Sequence, residues 1–219
     1  KKNYVHVAPM PDGIRGIWKY NDKKFVKKYI DSIKKIIDKI INEKKNLSFF
    51  ITESILGCGG QIILPKGYLK EVFKVVRNAG GVCIVDEVQT GFARVGTHYW
   101  AFENQDVIPD IVTLGKPMGN GHPIAAVITT KEIANSFNNG MEYFNSFGGN
   151  PVSCAVGKAV LEVIEQKQLQ QNVRAYKFTS EYAKNGSMPQ SIIEGRVMYG
   201  AADSVDQVKD GLKNILNLK

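Results

Sequence analysis

An α/β fold with a mostly parallel sheet flanked by helices is what this 219-residue sequence predicts, and three observations lead there. Short β-branched apolar runs alternate along the chain with longer stretches whose apolar residues recur at three- and four-residue spacing, the strand and helix alternation of layered α/β domains. Two apolar runs stop abruptly at one ionisable residue and pass into Gly-rich turn chemistry: Gly80-Gly-Val-Cys-Ile-Val-Asp86-Glu-Val-Gln89-Thr-Gly91 and Asp110-Ile-Val-Thr-Leu-Gly-Lys116-Pro-Met-Gly-Asn-Gly121. Hydrophobic residues make up 43% of the chain and charged ones 23%, a balance that supports a packed core and excludes a disordered polyelectrolyte.

The elements follow in order. Between 22 and 45, Phe25, Val26, Tyr29, Ile30, Ile33, Ile36, Ile37, Ile40 and Ile41 recur at helical spacing with lysines between them, so this stretch reads as an amphipathic surface helix. Leu47 to Glu53 reads as a strand, Gly57-Cys-Gly-Gly60 as a turn, and 67–78 as a helix carrying Tyr68, Leu69, Val72, Phe73, Val75 and Val76. Val82 to Val85, Ile111 to Leu114 and Ala125 to Ile128 are the next strands, followed by a short helix from Lys131 to Phe137. Pro151 opens a long helix reaching about 169, because a proline in the first turn removes no helical hydrogen bond. After Gln170 the periodicity weakens through a Lys-Asn-Gly-Ser-Met-Pro breaker, and Val205 to Leu218 reads as a further amphipathic helix.

Charge and cysteine usage narrow the function classes. The net charge is +8, but residues 1–45 hold 13 Lys and Arg against 5 Asp and Glu, while 46–219 hold 16 against 16. The excess therefore sits on the first helix as a solvated lysine face, with no aromatic-interleaved basic motif of the kind that binds nucleic acid. No nucleic-acid partner is expected. No run approaches the roughly 20 apolar residues that span a bilayer, and no apolar signal region follows Lys1, so a cytoplasmic protein without a membrane partner is expected. Cys58, Cys83 and Cys154 are odd in number and lack Cys-x-x-Cys spacing, which points to reduced thiols and no metal site, with Cys83 buried in a strand.

Asp86 and Lys116 fall at strand C-terminal ends, the binding edge of a parallel sheet. An amine and a carboxylate held together there match what pyridoxal phosphate requires: a lysine to form the Schiff base and an acid to keep the pyridine nitrogen protonated. Singly, an Asp after a strand is an ordinary turn residue. Their company makes them catalytic candidates. Glu53 ends an apolar strand on the same edge and His122 follows a Gly-Asn-Gly turn, so both are substrate-side candidates, with a solvated carboxylate and a backbone-satisfied turn histidine as their plain readings.

On the residues Asp86-Glu-Val-Gln89-Thr-Gly-Phe-Ala-Arg-Val-Gly96, Thr113-Leu-Gly-Lys116 and Phe147-Gly-Gly-Asn-Pro151, the sequence resembles the class III aminotransferases. The motifs keep the family's order and spacing, and the likeness runs from about 4 to 173. It implies the large domain of a fold type I pyridoxal 5'-phosphate enzyme over 1–174, a homodimer with shared active sites, and a 175–219 segment that it leaves unassigned. Carried over, Lys116 is the Schiff-base lysine, Asp86 the partner of the pyridine nitrogen, Gln89 a hydrogen-bond partner of the ring hydroxyl, and Val88 a packing residue on the ring face. Ser146 stands where the family usually has Thr and keeps the hydroxyl that reaches the neighbouring subunit's cofactor phosphate.

Within the family, Glu53-Ser-Ile-Leu-Gly-Cys-Gly-Gly-Gln61, Lys116-Pro-Met-Gly-Asn-Gly-His-Pro123 and the run from Gly140 to Cys154 look most like the branch with ethanolamine-phosphate and phosphohydroxylysine phospho-lyases. Cys58 falls where many transaminases of the family carry a Glu that manages a substrate-binding Arg, which tilts the expectation away from ornithine-like substrates. The family's chains are about twice as long by resemblance, which implies a chain that begins inside the large domain. The implied function acts on a small amine, by transamination or by eliminating phosphate from a phosphoamine such as phosphoethanolamine. The alternative is a truncated, non-catalytic homologue serving as an assembly or binding chain, with the basic helix as its contact surface.

Overall fold

The computed structural model describes residues 2 and 4–173. In chain order it contains α1 (Phe25–Asn42), β1 (Phe49–Glu53), β2 (Ile55–Leu56), β3 (Ile62–Ile63), α2 (Tyr68–Asn78), β4 (Val82–Asp86), β5 (Ile111–Leu114), β6 (Ala126–Thr129), α3 (Lys131–Phe137) and α4 (Pro151–Gln166). Short 3-10 turns lie at Ala101–Gln105, Lys116–Met118 and Leu169–Asn172. The helix expected at 205–218 and the unassigned segment 175–219 lie outside the described residues.

One sheet organises the site. Its strand order is β1-β4-β5-β6, with β1 and β5 both parallel to β4 and only β6 antiparallel. The parallel part is therefore as the alternation predicts. The direction of β6 is not encoded in its composition, since a four-residue apolar strand looks the same in either sense. A second, two-stranded sheet pairs β2 with β3 around the Gly57–Gly60 turn.

Two helices cover one face of this sheet. In α1 the residues Phe25, Tyr29, Ile30, Ile33, Ile37 and Ile40 are buried. Asp22 organises the entry, accepting from the Lys24 N–H at 2.8 Å and pairing with Lys28 Nζ at 2.6 Å. In α2 the buried set is Tyr68, Leu69, Val72, Phe73 and Val76. These side chains close on Cys83 and Val85 of β4, both fully buried, to form the main core. Each such residue contributes about 1.5–3 kcal/mol relative to an exposed one, so the face carrying Cys83 and Val85 is fixed inward.

Among the described residues the other face of the sheet is half-buried at its centre and exposed at its two edge strands. Phe49 and Ile51 of β1 are each 52% exposed and Val127 of β6 is 65% exposed, although parallel sheets are ordinarily covered on both faces. Pairing places Ile51 beside Ile84 and Glu53 beside Asp86, so Asp86 belongs to this face.

Junctions away from the site are held by polar side chains. Asp110 accepts from the Cys83 N–H at 2.7 Å and pairs with Arg77 at 2.9 Å, tying the end of α2 to the start of β4 and β5. Gln105 caps the start of α2, accepting from the Leu69 N–H and donating to the Leu64 carbonyl. Burial pushes the Cys83 thiol up to about 12, with smaller effects from Arg77 and Asp110, so it is a neutral core group.

Candidate active site

The site grows from strand register. Glu53 is opposite Asp86 and Asp86 is opposite Thr113, so these three polar residues form a row across the C-terminal ends of β1, β4 and β5. Lys116 follows Thr113 by three residues and opens the 3-10 turn that ends β5. It is exposed. Asp86 is the last residue of β4, one beyond the apolar run, and its Oδ1 accepts from the Val88 N–H at 2.8 Å. That bond turns the chain at the strand end and holds the carboxylate at the edge.

Val88 and Gln89 sit on the turn so formed. Val88 packs on the backbone beside Lys116: a Cβ added at Gly115 would lie 3.3 Å from Val88 Cγ1. Gln89 reaches over the β1 end, where a Cβ at Gly57 would collide with Gln89 Oε1 and lie 3.1 Å from Glu53 Oε2. A side chain at position 57 would therefore displace the end of Gln89. Its own N–H donates to Glu53 Oε2 at 2.7 Å, which fixes the Glu53 carboxylate to the loop. The structure thus gathers Glu53, Asp86, Val88, Gln89 and Lys116 on one edge.

The remaining candidates lie elsewhere. His122 pairs through Nε2 with Ser153 Oγ at 2.8 Å, linking the loop after Lys116 to the first turn of α4. Ser146 lies on an exposed segment, 138–149, with Met141, Tyr143, Phe144 and Phe147 exposed around it. The Gly57–Gly60 turn joins β2 to β3 and is overlain by Arg15, whose guanidinium donates to the Gly59 carbonyl at 3.2 Å. Among the described residues no group of three His, Cys, Asp or Glu is placed to hold a metal ion.

Two buried acids were not anticipated. Asp12 accepts from the Ile14 and Arg15 N–H groups at 2.8 and 3.0 Å and pairs with Arg15 Nε at 2.7 Å. Burial alone would push its carboxyl up, but these donors together hold it below its ordinary value. Glu87, next to Asp86, is fully buried on the core face and accepts from Ser54 Oγ, Thr90 Oγ1, Ala101 N–H and Phe102 N–H. Burial raises its pKa, with the four donors pulling the other way. Strand alternation carried one residue past Asp86 would have placed Glu87 inward beside Val85.

An acid and an amine at adjacent strand ends, with an amide and an apolar side chain between them, are the kinds of group a pyridoxal phosphate site uses. The family model for class-III aminotransferases matches residues 3–213. The chain belongs to the class-III aminotransferase family. Pyridoxal phosphate is the cofactor of that family, and the fold is its large-domain fold. The alanine–glyoxylate aminotransferase 2-like protein of Drosophila melanogaster is 54% identical over 177 residues, 78% of this chain and 35% of its own length. The human alanine–glyoxylate aminotransferase 2, mitochondrial, is 53% identical over 144 residues, 66% of this chain and 28% of its own.

Among solved structures, a phospholyase from Arthrobacter in complex with phosphoethanolamine superposes with a TM-score of 0.73 at 35% identity, covering 84% of this chain and 44% of that one. The chain spans about a third of the length of the curated relatives it matches. No helix of the described residues is long and apolar enough to cross a membrane. The name of the human relative places that protein in the mitochondrion, so kinship does not carry the cytoplasmic location expected from the sequence.

Proposed function

We propose that residues 1–174 form the cofactor-facing part of a pyridoxal phosphate enzyme acting on a small amine, by transamination or by elimination of phosphate from a phosphoamine such as phosphoethanolamine. The observation that carries this reading is the placement of Asp86 at the end of β4 and of Lys116 in the turn just after β5, its parallel neighbour, with Val88 packed against Gly115 between them. When bound, the cofactor supplies an aldehyde that takes up amines and a ring that accepts electron density.

The side chains do the rest. Lys116 would be the amine that holds the cofactor aldehyde and, once freed by the substrate amine, would take a proton from the substrate carbon beside the nitrogen. Asp86, fixed by the Val88 N–H, holds a proton on the pyridine nitrogen through its carboxylate. Gln89 donates to the ring hydroxyl from its place above Gly57, and Val88 packs on the ring face. Glu53 would border the substrate side from the end of β1, whereas His122 is tied to Ser153. Ser146 acts across a homodimer, its hydroxyl binding the cofactor phosphate of the second copy. In transamination Lys116 would hand that proton on, with a keto acid as the amino acceptor; in elimination it would only remove it, with phosphate and then ammonia as the groups lost.

Support for elimination comes from the phosphoethanolamine-bound Arthrobacter neighbour and from Cys58 in place of an acidic residue. The complete protein incubated with phosphoethanolamine should release inorganic phosphate and acetaldehyde with no keto-acid present. Product formed only after pyruvate or glyoxylate is added identifies a transaminase. No product from any amine tried, with no cofactor absorbance, identifies the non-catalytic assembly chain.

A further inference from the structure

Glu87 is the one fully buried carboxylate among the described residues, and the chemistry proposed above makes no use of it. It follows Asp86 directly, so strand alternation sends the two carboxylates to opposite faces: Asp86 to the face shared with Glu53 and Thr113, Glu87 to the core face with Ser54. Its backbone extends the β4–β5 pairing one residue beyond Asp86, the Glu87 N–H donating to the Thr113 carbonyl at 2.9 Å. Its carbonyl accepts from the Gly91 N–H at 3.0 Å and closes the turn that carries Val88 and Gln89.

The side chain adds bonds from three separate segments. Oε1 accepts from Ser54 Oγ, just past β1, and from the Phe102 N–H at 2.9 Å; Oε2 accepts from Thr90 Oγ1 at 2.8 Å and from the Ala101 N–H at 3.1 Å. Two of the four donors are backbone N–H groups at the start of the 101–105 turn, which have no means of reversing direction, so the pattern is matched to an acceptor on both oxygens. A glutamine in the same place presents one oxygen and one N–H group, and the latter would face a donor.

We propose that Glu87 is a positioning residue for the cofactor edge: by clamping the 87–91 turn to β1, β5 and the 101–105 turn, it sets where Asp86, Val88 and Gln89 stand. The role deepens the cofactor reading above and rests on it for its functional meaning, but the clamp itself is a property of this chain. Removing one carboxylate oxygen should loosen the turn locally, because a buried donor left without its partner costs more than a typical hydrogen bond contributes.

The test uses the complete protein carrying Glu87→Gln, with Ser54→Ala as a milder change that deletes one donor and leaves the carboxylate in place. Hydrogen exchange on the cofactor-free protein is compared at the 86–91 peptide and at α2, alongside cofactor affinity and the absorbance of bound cofactor. The expected result is exchange at 86–91 faster by roughly tenfold in Glu87→Gln, with α2 unchanged, and a smaller change of the same kind in Ser54→Ala. Cofactor affinity should fall by a similar factor and the bound absorbance should shift. Equal loss of protection at both peptides, or none at 86–91, overturns the clamp. If the wild type binds no cofactor, the cofactor reading fails while the exchange result still decides the clamp. If the wild type binds and Glu87→Gln matches it in affinity and absorbance, the positioning role fails and the cofactor reading stands.

Discussion

Replacing Asp86 by Asn and by Ala separates what its carboxylate does for the fold from what it does for chemistry. In the structure Oδ1 accepts from the Val88 N–H at 2.8 Å at a half-buried position. Asn keeps an oxygen there, so Asp86→Asn should cost under about 0.5 kcal/mol of stability. Ala deletes the acceptor, and because the site is half open to water the loss should be about 1 kcal/mol. Both variants lose the negative charge that holds a proton on the cofactor ring. If the charge is the catalytic element, turnover should fall equally in both, on the order of 10²–10³, the magnitude found when one preorganised electrostatic partner is removed from an active site. The assay is turnover of the complete protein at saturating cofactor, beside urea unfolding midpoints. Full activity in Asp86→Asn would refute the reasoning. Activity that tracks stability across the two variants would also refute it, since the turn bond and not the charge would then be what matters.

Two further outcomes rest on groups whose ionisation the fold perturbs. Cys58 and Cys154 are exposed and should react with a thiol reagent at neutral pH, whereas Cys83, buried and pushed up to about 12, should react only on unfolding; prompt reaction of a third thiol in the native protein would contradict the core described. Asp12 has a lowered folded pKa, so its contribution is present above the ordinary value of 3.8 and is lost as pH falls through the lower folded value. The stability gap between wild type and Asp12→Asn, about 2 kcal/mol at pH 6, should shrink below pH 3.8, and a gap constant down to pH 2 would contradict this.

Much of the candidate site's placement could be read along the chain because its two central residues interrupt apolar runs. Val82 to Val85 and Ile111 to Leu114 are strands by composition, and a charge at Asp86 or just after Gly115 marks where burial ends. Glu53 was readable for the same reason. The edges of α1 were read three residues wide at each end, 22–45 for Phe25–Asn42, since the lysines around the ends fit either a last turn or a loop. The β2–β3 hairpin left no trace because two-residue strands carry no periodicity. Glu87 was hidden by its neighbour, as a second acid after Asp86 reads as more turn, and only the donors at Ser54, Thr90 and the 101–105 turn explain its burial. His122 was recognisable as a turn residue, but its partner Ser153 lies 31 residues away, beyond any local pattern.

The central claim is that Lys116 is the residue to which the cofactor attaches. Borohydride reduction of the complete protein loaded with pyridoxal phosphate, followed by peptide mapping, tests it most directly. The label should be found on Lys116, in the peptide that begins after Thr113-Leu-Gly, and Lys116→Ala should take up none. A label on another lysine in the wild type, or one that persists in Lys116→Ala, would contradict the account.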